Sequence, residues 1–146
     1  MSTEPTLALQ AAIVAALKAD SSLTGLIAGR VYDRIPNLHQ FPYIRVGDSD
    51  EDLPDLADCI DGSEIFSTLH AFSRPQEDAT NATQPRGKVE VKRIAGAAKR
   101  AIHGANLSLE DNRLILIEHY RTVFLTDPDG LTEHAIIMFR ALTEPT

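Results

Sequence analysis

The clearest pattern of apolar and polar positions lies between Arg113 and Leu142. Two runs rich in β-branched and aromatic residues, Arg113–Leu125 and Leu131–Leu142, flank Thr126-Asp127-Pro128-Asp129-Gly130 and predict an antiparallel hairpin. Pro128 pre-sets φ at the second turn position, Asp129 tolerates the third, and Gly130 takes φ > 0 without a Cβ clash. This order fits a type I turn with a glycine bulge, a three-residue loop with Asp127 opposite Leu131. That register sets Tyr120 opposite Met138 and Glu118 opposite Arg140, an opposite-charge pair worth roughly 0.2–1 kcal/mol. A slip by one would set Glu118 opposite Phe139 instead.

Earlier segments carry helical and strand periods in turn. Pro5–Ala19 reads as a helix with Thr3 as N-cap, Pro5 in the first turn and Lys18 at the negative end. Leu9, Ile13, Ala16 and Leu17 form its stripe, while Ala8, Ala12, Val14 and Ala15 widen it almost around the cylinder. Either a second surface covers that extra width, or the alanines are helix formers on an exposed face. Asp20-Ser21-Ser22 caps a short helical turn, Leu23–Ala28, stopped by Gly29. Arg30–Arg34 reads as a short strand, Ile35–Gln40 as a loop, and Phe41–Gly47 as a second strand. In Glu64–Ser73, a third strand, Phe66, Thr68, His70 and Phe72 share one face and Ile65, Leu69 and Ala71 the other. Arg74–Pro85 has no apolar period and reads as a mobile connection. A second helix follows over Gly87–His103, with Val91, Ile94, Ala95, Ala98 and Ile102 on its buried stripe and Gly104 at its end. Gly96 inside it suggests close approach of another backbone.

These elements predict one α+β domain over residues 1–146, with a mainly antiparallel sheet of four to five strands and two helices packed on one face. A chain of 146 residues can bury about 68–70% of its unfolded surface. The apolar run Leu7–Leu17 is too short to span a bilayer and follows Glu4, so no membrane partner is expected. One cysteine, Cys59, allows no intrachain disulfide and fits a reducing compartment.

Charge changes the picture more than composition does. The net charge of −7 argues against a protein that coats nucleic acid. Asp48–Glu64 holds eight carboxylates, among them Asp50, Asp52, Asp55 and Asp58, and no Lys or Arg. It lacks the sixth-position Gly and twelfth-position Glu of a calcium loop, where Leu53 and Cys59 stand, and reads as a solvated strand end and loop able to dock on a basic surface. The second helix has the opposite bias: Lys88, Lys92, Arg93, Lys99 and Arg100 line its outer face, after Arg86 and against Glu90 alone. Such a face suits DNA, an acidic patch on another subunit, or plain solvent.

No catalytic constellation assembles. The chain has no phosphate-cradling glycine loop, Cys-x-x-Cys, His-Glu-x-x-His or Gly-x-Ser-x-Gly. Five histidines are scattered, and His119 and His134 on adjacent strands point to opposite faces in the favoured register. Cys59 sits among carboxylates that would raise its pKa and blunt it as a nucleophile. Neither an enzyme nor a metal or cofactor site is expected.

Three segments in order resemble the small tail-completion, or tail terminator, proteins of long-tailed bacteriophages and gene transfer agents. They are Gly29-Arg30-Val31-Tyr32-Asp33 with Ile35-Pro36 and Phe41-Pro42-Tyr43-Ile44, then Leu69–Arg74 leading to the Ala-rich basic helix, then Arg121–Gly130 ending in Phe139-Arg140-Ala141-Leu142. Phe72 stands where many relatives carry Trp, and Asp48–Asp61 is unusually long and acidic. The resemblance implies a non-catalytic subunit of a ring, usually of six, at the neck end of a tail and assembled in the host cytoplasm. Such a ring caps the tail tube, halts its polymerisation and meets the head connector, with DNA passing through unbound. Another neck ring, the tube subunit itself, or a small nucleic-acid or protein-binding module are the alternative readings. A ring with head-to-tail contacts needs two different complementary patches. Asp50, Asp52, Asp55 and Asp58 against Lys88, Lys92, Arg93 and Lys99 are the expected pair.

Overall fold

The computed structural model describes residues 3–53, 62–75 and 87–146. Among these residues three helices, α1 (Pro5–Ala19), α2 (Ser21–Ile27) and α3 (Lys88–Ile102), accompany six strands. The strands are β1 (Val31–Tyr32), β2 (Tyr43–Asp52), β3 (Ser63–Ser73), β4 (Ser108–Leu109), β5 (Asn112–Thr126) and β6 (Glu133–Pro145), in the sheet order β1-β2-β3-β6-β5-β4. Among the described strands only the β1–β2 pair is parallel. The α+β, mainly antiparallel reading holds, but the counts of four to five strands and two helices are corrected to six and three. Two-residue β4 is too short to leave a period, and the helical turn after Asp20 is a helix in its own right, because the Asp20 carboxylate accepts from Leu23 N at 2.9 Å.

The helices pack on one face of the sheet, as the strand parity of β3 requires. Ile65, Leu69 and Ala71 join Ala135, Ile137, Phe139 and Ala141 of β6 beneath Leu9, Ile13, Leu17, Val91, Ile94 and Ile102. Burying a large apolar side chain such as Phe139 contributes about 1.5–3 kcal/mol. Phe66, Thr68, His70 and Phe72 lie on the other face, which carries no helix among the described residues. Leu7 is exposed, and with Ala11, Val14, Ala15 and Val31 it lines an open groove of about 510 Å³ beside β1.

Local differences from the sequence reading have identifiable causes. Thr3 does not cap α1. Glu4 does, accepting from Thr6 N at 2.8 Å, while Thr3 donates to Asp111 and ties the chain to the β4–β5 turn. The strand read over Arg30–Arg34 shrinks to two residues, whereas the one read over Phe41–Gly47 begins at Tyr43 and runs on to Asp52. A Cβ at Gly96 would meet the Arg100 side chain at 3.3 Å and no foreign backbone, so the expected close approach there is absent.

The β5–β6 hairpin forms with Glu118 opposite Arg140, as the favoured register requires. A bulge at Tyr120 then shifts the ladder, and Arg121 rather than Tyr120 faces Met138. At the tip Gly130 N donates to Asp127 O and Asp127 N to Thr132 O, so the loop has four residues, not three. The extra residue follows from Asp129, whose carboxylate accepts from Leu131 N, Thr132 N and the Thr132 hydroxyl. These bonds hold the Asp129 carboxyl well below the usual carboxylate range.

Candidate assembly surfaces

Asp50 and Asp52 stand on the outer half of β2 and are exposed, together with Asp48, Ser49 and Glu51. Asp55 and Asp58 lie outside the described residues, as do Cys59, Arg86 and most of the connection after Arg74. Lys88, Lys92, Arg93 and Lys99 are exposed on α3, with Arg100 beside them. Among the described residues no carboxylate forms an ion pair with any of these five cations, and no cation pairs with Asp48, Asp50, Glu51 or Asp52.

The fold keeps the two charge clusters apart. Helix α3 begins beside the end of β3, where Gly87 N donates to Ser73 Oγ at 3.0 Å. Asp52 pairs with Glu64 at the other end of β3. Nine residues of strand, at about 3.3 Å each, separate those ends by roughly 30 Å. Lys92 Nζ lies 5.5 Å from the Phe124 ring on β5, so the basic face borders the β5 side of the sheet while the acids border the β2 side. The bases at the start of α3, Lys88 and Lys92, therefore lie toward the β5 side of the sheet, away from the acids on β2.

The face without helices holds a cluster that sequence reading missed. His70 Nδ1 and His134 Nε2 lie 2.6 Å apart, and His134 Nδ1 lies 3.0 Å from Asp127 Oδ1. The carboxylate assigns the proton on His134 Nδ1, leaving His134 Nε2 to accept from His70 Nδ1–H. Phe72 stacks on His134 at 4.4 Å and on Tyr43 at 5.0 Å, extending an aromatic row across three strands. Burial first, then Arg45 and His134, pushes the His70 pKa down to about 4. His70 and His134 are 64 residues apart and meet only because β3 and β6 are neighbours. No spacing within either segment signals that. His119 points to the opposite face, against Phe139, as the favoured register predicts.

Beside the two histidines stand the Phe72 ring, Arg45 and the Asp127 carboxylate, and among the described residues no hydroxyl or thiol hydrogen-bonds to either imidazole. Among the described residues no group of three His, Cys, Asp or Glu side chains converges to hold a metal. What the molecule presents is surface: two charged edges, an open sheet face and a groove beside β1.

The described residues present a mixed sheet with helices on one face, exposed carboxylates on β2 and exposed bases on α3. Residues 11–144 match the family described as tail completion protein gp17, and the chain belongs to that family. It is a structural virion protein rather than an enzyme. Its fold is similar to a chain in the solved virion of a native gene transfer agent particle, with a TM-score of 0.79 and 27% identity over 98% of this chain and 99% of that one. No curated protein matches the sequence.

Proposed function

We propose that copies of this chain close into a ring, of six, at the head-proximal end of a tail tube. The ring stops tube polymerisation and joins the tail to the head connector, at the neck of a virion or phage-like particle assembled in the host cytoplasm. Family membership supplies the setting. The observation that supports the ring is the placement of acids on β2 and bases on α3 that form no ion pair among the described residues, with the start of α3 and the acids on different sides of the sheet. A closed ring repeats one contact head to tail, so each copy must offer two unlike, complementary patches.

Asp50 and Asp52, with Asp55 and Asp58 from the adjoining segment, face Lys88, Lys92, Arg93 and Lys99 of the next copy. A net charge of −7 leaves the lumen unattractive to phosphate, so DNA slides through unbound. Added salt should loosen the ring, because exposed pairs are screened within about 8 Å at physiological ionic strength. The double change Lys92→Glu and Lys99→Glu should weaken it while leaving the melting temperature near wild type. Rings indifferent to both salt and charge reversal would refute the pairing. Growth of the purified protein into tubes would assign it to the tube instead.

A further inference from the structure

We propose that neighbouring copies join by strand pairing, the edge of β5 at Thr122–Thr126 in one copy lying along the edge of β2 at Asp48–Asp52 in the next. This rests on the ring reading and gives its contact a backbone geometry.

Among the described residues, the β5 edge is covered along part of its length and unpaired along the rest. Strand β4 covers Asn112 and Arg113. Further on, Gly104 N donates to Ile117 O, and His119 N donates to His103 Nδ1, so the end of α3 covers that part. Beyond the bulge at Tyr120 no described residue pairs with this edge. The bond from Asp127 N to Thr132 O fixes the alternation: residues 121, 123 and 125 bond to β6, and Thr122, Phe124 and Thr126 turn their N–H and C=O groups outward.

Composition marks this edge as one meant to be covered. Solitary edges are protected by lysine, proline, bulges or a covering segment, because bare ladder groups template pairing with another chain. From Tyr120 to Thr126 the only charge is Arg121, and Tyr120, Phe124 and Leu125 are 51%, 43% and 37% exposed.

The other edge supplies the complement. Strand β1 covers only Ile44 and Arg45, and the five residues Asp48–Asp52 that follow are exposed and carry four carboxylates. Two such edges repel each other. Two β5 edges would likewise bring Arg121, Lys88 and Lys92 against their own copies. Charge thus selects the unlike pair, β5 with β2, which is the head-to-tail contact a ring needs. Both segments are five residues long, about 17 Å of strand. The sheets then run on from copy to copy around the ring.

Phe124→Pro removes one outward N–H and leaves the bonds to β6 in place, whereas Phe124→Thr keeps that donor. The proline variant should need about tenfold to a hundredfold more protein for half-assembly than the threonine variant, at equal melting temperature. Equal assembly of the two would overturn strand pairing. If Phe124→Pro fails to fold, hydrogen exchange of the unaltered chain decides. The amides of Thr122, Phe124 and Thr126 should slow on assembly, and fast exchange in the assembled ring would overturn the proposal. Glu51→Arg and Arg121→Glu should each weaken assembly, and combining them in one chain should restore it. Failure to restore would show that β2 is not the partner of β5. Closed wild-type rings with unprotected edge amides would refute strand pairing alone, whereas no closed oligomer at any concentration would refute the ring as well.

Discussion

At the scale of single residues, the sharpest dependence lies at His70. Its folded-state pKa, about 4, is below the ordinary 6.5, so folding disfavours the charged ring. The stability tied to its neutrality is complete above pH 6.5 and is lost as pH falls towards 4. Arg45 and His134 oppose the charge, while Asp48 and Asp127 favour it. The melting temperature should fall across that window, and His70→Asn should flatten the fall. Gly47 sits over the same ring in the β2 bulge. A Cβ there would lie 2.6 Å from His70 Nε2 and would also strike Thr68 Oγ1, so Gly47→Ala should cost about 1–3 kcal/mol in denaturant unfolding. An unchanged midpoint would show that the β2–β3 arm gives way freely.

Among the elements, α3 depends on its attachment to the end of β3. Ser73 is fully buried, donates to Glu90 Oε1 at 2.6 Å and accepts from Gly87 N. Ser73→Ala leaves both partners short of a bond in a buried place and should cost about 1–3 kcal/mol by chemical denaturation. Because the basic face rides on α3, the same change should also weaken assembly. Much of this level was legible in the sequence. Pro5 and the Leu-Ala period bounded α1, the parity of Phe66 to Phe72 fixed the faces of β3, and Glu118 found Arg140. The bulge at Tyr120 was not legible, since inserting one residue into an apolar strand changes neither composition nor the type of turn. Nor was the fourth loop residue, which depends on Asp129 reaching forward to Thr132.

For the whole molecule, the charge segregation was legible and its spatial meaning was not. The acidic and basic runs are plain in the one-dimensional sequence, but the strand order β1-β2-β3-β6-β5-β4 is needed to set two strands between β2, with its acids, and β5, which Lys92 of α3 borders. The pairing of His70 with His134 and the half-open edge of β5 are products of that order too. In the proposed ring, like edges would repel and unlike edges attract, so the charges would favour a head-to-tail contact over self-stacking.

The measurement that tests this account most directly is native mass determination across a concentration series at low and high salt. It should show monomer giving way to one closed species of six subunits, with added salt moving the balance back to monomer. A ladder of ever larger masses, or a monomer at every concentration, would contradict it.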